Sequence, residues 1–134
     1  MPETKTKILS RAVGRRKQAI ASVRLISGSG EISVNDKPVS VYFPGMIAKT
    51  KYQLPFSLLS LQKYSATVKV HGGGPNGQLD ALVLGLARSL AALKTDYRSA
   101  LRTAGLLTRD SRKRQRRMVG MGGKSRRKKQ SPKR

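Results

Sequence analysis

Residues 64–94 read YSATVKV (64–70), HGGGPNG (71–77) and QLDALVLGLARSLAALK (78–94), and the change of period from the first piece to the third decides the fold. In the first, Ala66, Val68 and Val70 alternate with Thr67 and Lys69, the period-two pattern of a strand with one face buried. In the third, Leu79, Leu82, Val83, Leu86, Leu90 and Leu93 recur at helical spacing, and Ala81, Leu84, Ala87 and Ala91 widen the stripe. The spacing predicts a strand, a glycine-rich turn and a core helix over 78–94, covered on most sides. Gly85 in that helix costs about 1 kcal/mol relative to Ala; close packing against a strand would account for it. Asp80 in the first turn and Lys94 at the end complement the helix dipole.

Working outward, AIASVRLI (19–26) also alternates, with Ala21, Val23 and Leu25 to one side and Ser22 and Arg24 to the other. Gly28-Ser29-Gly30 turns the chain into a second strand, Glu31 to Val34, which Asn35-Asp36 ends by turn chemistry. Residues 42–61 predict one or two short helices, with Pro44 and Pro55 as breakers. A further helix over Asp96 to Thr103 stops at Gly105. Strands and helices without strict alternation give an α+β fold, a small sheet with helices on one face.

The chain has 134 residues, with 29 Lys or Arg against 6 Asp or Glu, for a net charge of +23. That length holds one domain with an appendage. Such a field recruits polyanions, whether nucleic acid or anionic membrane. Zero Cys removes disulfides, thiolate metal sites and Cys nucleophiles, and one His removes any His pair. No nucleophile–base pair or ligand set stands out, so no catalytic residue, metal or cofactor is expected. The sequence has no apolar run of the roughly 20 residues that span a bilayer, and Met1-Pro-Glu-Thr-Lys5 does not resemble a signal peptide. An intracellular, soluble protein is the expectation.

The charge is segregated. From Arg109 to Arg134 there are 13 basic residues and one acid, +12 in 26 residues, against +11 in the preceding 108. After Leu107 only Met118, Val119 and Met121 are suited to a core. So few apolar side chains do not offset an ordering cost of about 1–2 kcal/mol per residue. The sequence thus divides into a flexible N-terminus (1–10), a globular domain (11–107) and a basic extended tail (108–134). The tail's charges lie within a Debye length of about 8 Å of one another, so the tail is expected to protrude and to order against phosphates.

Candidate RNA-binding residues follow from this layout. Arg11, Arg15, Arg16 and Lys17 place four cations within seven residues. Gly72-Gly73-Gly74 fits either a tight turn in which a Cβ would clash or a loop whose N–H groups meet RNA phosphates. His71 is a polar turn residue. Thr108-Arg109-Asp110-Ser111 reads as a helix N-cap, Thr108 capping and Asp110 in the first turn, with Arg109 left for RNA. In the tail the candidates are Arg112, Lys113, Arg114, Arg116, Arg117, Lys124, Arg126, Arg127, Lys128 and Lys129. The six aromatics are scattered and better suited to core contacts than to a base-stacking platform, which favours backbone and shape recognition. A protein that compacts DNA or chaperones nucleic acid non-specifically would carry the same tail.

The ordered set Gly14-Arg15-Arg16-Lys17-Gln18-Ala19, Val23-Arg24-Leu25, Gly28 and Gly30, Val34-Asn35, Tyr42-Phe43, Gly72-Gly73-Gly74, Gly77-Gln78, Ala87-Arg88-Ser89-Leu90, Leu107-Thr108-Arg109-Asp110-Ser111-Arg112 and Lys133-Arg134 resembles the family of small-subunit ribosomal protein nine, in its bacterial and organellar form. The resemblance runs over about residues 11–134. It implies a two-layer α+β sandwich without catalytic activity in the head of the small ribosomal subunit. The implied partners are small-subunit rRNA, neighbouring proteins of the head and peptidyl-site tRNA, with no membrane or small-molecule substrate. The implied place is the ribosome of bacterial cytoplasm or of an organelle. It carries over Lys133 and Arg134 as contacts to the anticodon stem-loop of that tRNA. The tail departs from the family at Gln115, Ser125 and Ser131-Pro132, where the family has an acid, Ala and an aromatic followed by Ser.

Overall fold

In a computed structural model, residues 7–123 and 126–128 are described. The elements are β1 (Ile8–Arg16), β2 (Ala19–Ser27), β3 (Ser33–Val34), β4 (Lys37–Pro38), α1 (Val39–Tyr42), α2 (Met46–Leu58), β5 (Tyr64–His71), α3 (Pro75–Ala91) and α4 (Thr95–Thr103). The sheet order is β1-β2-β5-β3-β4. β1, β2 and β5 form an antiparallel ribbon, β3 runs parallel to β5, and β4 pairs antiparallel with β3. α1 and α2 lie in the connection between the parallel strands. The helices cover one side of the sheet, as the pattern predicts.

Ala19, Ala21, Val23 and Leu25 of β2, and Ala66, Val68 and Val70 of β5, turn inward and are buried. They meet Leu79, Leu82, Leu86 and Leu90 of α3 in a single core that also takes in Val34, Tyr52 and Leu101. Each fully buried leucine contributes about 1.5–3 kcal/mol relative to an exposed one. Gly85 has the expected reason: a Cβ there would sit 2.7 Å from Val23 Cγ2 and 3.2 Å from Gly14 N. At Gly14 a Cβ would lie only 2.5 Å from Gly85 N. α3 therefore rides directly on the backbone of β1, tied by Ser10 Oγ donating to the Ser89 carbonyl (2.8 Å) and Arg88 Nη1 to the Val13 carbonyl (2.8 Å).

Four expectations need correcting. Ile8–Ser10, assigned to a flexible N-terminus, belong to β1, which pairs along its length with β2. Its inward positions are Ser10, Ala12, Gly14 and Arg16, the first three small because α3 is so near and the fourth charged, so no apolar alternation betrays the strand. Pro55 does not break a helix; it lies inside α2, fully buried, three residues from the end. One lost helical hydrogen bond is set against that burial. α3 begins at Pro75, the favoured first-turn position for proline, and ends at Ala91, so Asp80 lies beyond the first turn and Lys94 instead precedes α4. Among the described residues no helix follows Thr108, because Asp110 is engaged elsewhere.

Candidate nucleic-acid interface

The β1–β2 hairpin closes in two residues, Lys17 and Gln18, with Arg16 paired to Ala19. Lys17 takes φ 53°, a left-handed conformation uncommon for a side chain of its length. Strand alternation splits the basic run: Arg15 is exposed on the open face, Lys17 is exposed at the tip, and Arg16 turns inward toward α3. The Arg16 side chain is 13% exposed and pairs with Asp110 (Nη1–Oδ1 2.6 Å) and Asp80 (Nε–Oδ2 3.7 Å). It also donates to the Asp110 carbonyl at 3.3 Å. Arg16 is therefore a clasp that fixes the root of the tail to β1 and α3, and its guanidinium is committed within the protein. Lys51 of α2 reaches the other oxygen of Asp80 at 3.8 Å.

Asp110 carries a second guanidinium. Arg112 Nη2 lies 2.8 Å from Oδ2, and Arg112 Nε and its backbone N–H donate to Oδ1 at 3.1 and 3.0 Å. These hydrogen bonds from Arg112, with the one from Arg16, hold the Asp110 carboxyl well below the usual carboxylate range. Arg112 nevertheless stays 84% exposed, open to a further anion on its outer edge.

Beyond the clasp the described tail residues 111–121 are all exposed. Gly120 at φ 77° turns the chain, and Met121 pairs with Lys128 in an isolated antiparallel bridge. Lys113, Arg114, Arg116, Arg117, Arg126, Arg127 and Lys128 all present their charges to solvent, while Arg109 is half-buried. Lys124, Lys129, Lys133 and Arg134 lie outside the described residues.

The glycine loop has a local explanation. Gly72 and Gly73 take φ 76° and 63°, and a Cβ on Gly72 would lie 2.5 Å from the Gln18 carbonyl. Gly74 has open space around it and precedes α3. A relay holds the loop: Gln78 Nε2 donates to the Gly72 carbonyl (3.0 Å), Tyr42 OH to Gln78 Oε1 (2.9 Å), and Asn35 Nδ2 to Tyr42 OH (3.3 Å). Asn35 also exchanges two 2.9 Å bonds with the Val70 backbone, extending the ladder of β5 by a side chain. The turn reading of Gly72-Gly73 thus carries their conformation.

Two of the cations outside the candidate set share a face with members of it. Arg24 and Lys69 are exposed on the side of the sheet away from the helices. The strand alternation that places Arg24 and Lys69 outward was visible; their joint membership of one face needed the β1–β2–β5 register. Register puts Arg11 opposite Arg24 and Arg24 opposite Thr67; Val13, Ser22 and Lys69 form the next row, and Arg15, Ile20 and His71 the one after.

The sequence pattern described as ribosomal protein S9/S16 matches residues 14–134. The chain belongs to this family. It is 44% identical over 123 residues to small ribosomal subunit protein uS9 of Crocosphaera subtropica, covering 89% of this chain and 88% of that protein. The protein of the same name from an Arthrobacter species is 43% identical over 112 residues, covering 82% and 67%. That of Ureaplasma parvum is 42% identical over 114 residues, covering 84% and 86%. A member of the S9/S16 family is a structural ribosomal protein and not an enzyme. Among the described residues, no helix is long and apolar enough to cross a membrane.

Proposed function

We propose that this protein is a structural constituent of the head of the small ribosomal subunit, that it binds small-subunit rRNA, and that its tail brings Lys133 and Arg134 to the anticodon stem-loop of peptidyl-site tRNA. The rRNA contacts fall to Arg11, Arg15 and Lys17 on the domain, to the backbone at Gly74, and to Arg109, Arg112, Lys113, Arg114, Arg116, Arg117, Lys124, Arg126, Arg127, Lys128 and Lys129 in the tail. Arg16 and Arg112 serve it by setting the tail's departure at Asp110. The observation that carries the reading is the segregation of charge, 13 basic residues against one acid in the last 26, on a chain of a ribosomal family. Lys and Arg at that density neutralise phosphates, and the absence of aromatics from the tail favours backbone contact over base stacking. The ribosome of a bacterial cytoplasm is the corresponding location.

The test is deletion of Ser131–Arg134. Small subunits should still assemble with the shortened chain, co-migrating with it on a sucrose gradient, while peptidyl-site tRNA dissociates faster from them. Unchanged tRNA dissociation would overturn the tRNA assignment, and failure of the full chain to co-migrate would overturn the ribosomal one.

A further inference from the structure

We infer that the open face of the sheet is a second phosphate-binding surface, separate from the tail, which takes a double-helical segment of RNA by its backbone through Arg11, Arg24, Lys69 and Arg15. This rests on the rRNA-binding reading above and deepens it: Arg24 and Lys69, which that reading leaves without a partner, join Arg11 and Arg15 on one face, and the form of RNA that face takes is specified.

The helices occupy one side of the sheet, so the outward positions of β1, β2 and β5 are left uncovered by them. None of these strands contains an Asp or Glu, and among the described residues none of the four cations forms an ion pair. Arg11 stands directly opposite Arg24 in the register. Like charges in that relation destabilise a sheet, so the pair is unfavourable until an anion lies between them. Neighbouring strands are about 4.8 Å apart and alternate residues about 7 Å apart, which spreads the four charges over roughly 10 by 13 Å. That is a plane of cations, not a pocket for a single anion.

The remaining outward residues choose among polyanions. Ser22 and Thr67 offer hydroxyls beside the cations, suited to phosphate oxygens and the 2′-OH. Tyr64, the one Phe, Tyr or Trp in the three strands, packs against the core on the helix side. Splayed single-stranded bases need clustered exposed rings on such a face, and the lone imidazole of His71 at the end of β5 does not make such a platform. Double-helical RNA, recognised by shape and backbone, is the partner that fits.

The experiment uses the full chain and protein-free small-subunit rRNA. Arg24→Gln with Lys69→Gln should weaken binding about tenfold at physiological salt and flatten the logarithmic salt slope by about two, one for each phosphate no longer neutralised. Backbone protections should vanish from a paired segment while those given by the tail persist. Arg98→Gln with Arg102→Gln, two exposed cations of α4, should leave slope and protections unchanged. Both pairs are exposed, so thermal unfolding of the free variants reports whether folding is intact, and Arg24→Gln should raise stability slightly by relieving Arg11. An unchanged slope in the sheet variant, an equal loss in the α4 variant, or protections lost from a single-stranded loop would each overturn the inference and leave the ribosomal reading standing. Absence of binding by the unaltered chain would overturn both. Intact rRNA binding with loss of a neighbouring protein from the particle would overturn it in favour of a protein partner.

Discussion

Gly14 and Gly85 face each other where α3 crosses β1, and neither position has room for a side chain. A methyl at Gly14 would intrude on the backbone of Ala81 and Gly85, which no rotamer change relieves. Gly14→Ala should therefore cost about 3 kcal/mol, at the upper end of overpacking, read as a lowered denaturation midpoint in urea. At Asp110 the expected effect depends on pH. Its carboxyl is held below its ordinary value by Arg112 and Arg16, so it binds protons less readily folded than unfolded. Its contribution is fully present above the ordinary carboxylate value of 3.8 and is lost as pH falls below it. Asp110→Asn should accordingly be less stable than the unaltered chain at neutral pH, the gap narrowing in urea titrations taken progressively below pH 4. A gap that is constant with pH would show that Arg16 and Arg112 do not hold the carboxylate.

Among the elements, β2, β5 and α3 are legible in the sequence because each buries one face with residues large enough to leave a period. β1 is not, since the closeness of α3 reduces its buried side to Ser10, Ala12, Gly14 and Arg16. The open sheet face was illegible for the same reason: without β1, Arg11 and Arg24 have no common plane. Thr108 and Asp110 misled in another way. An acid two residues after a threonine suits a helix start, but the same acid suits a guanidinium 94 positions away in the chain, and local pattern does not distinguish them. α3 is the element on which everything else rests. Leu86 in it is completely buried, so Leu86→Asp should abolish folding by placing an unpaired charge in the core. Leu86→Ala should fold with a loss of about 2–5 kcal/mol, and far-ultraviolet circular dichroism separates the two outcomes.

For the whole molecule, the decisive quantity is a net charge of +23, 29 basic residues against 6 acids. Self-repulsion of that size destabilises the compact state. The melting temperature of the free protein should rise as salt is added toward the ionic strength at which the Debye length is about 8 Å, and rise further with small-subunit rRNA present, by mass action. Calorimetry at several salt concentrations, with and without RNA, measures both.

The bridge between Met121 and Lys128 turns the tail from a simple leash into one with slack folded into it. Fully drawn out, the 27 residues from Thr108 would reach at most about 90 Å; doubling back between 121 and 128 shortens this by about 20 Å. Gly122 holds the fold-back closed, since a Cβ there would strike the carbonyls of Arg126 and Lys128 at 2.5 and 2.7 Å. A bulkier residue at 122 would spring it open, and the distance at which Lys128 stands from the domain would be set by one missing methyl group.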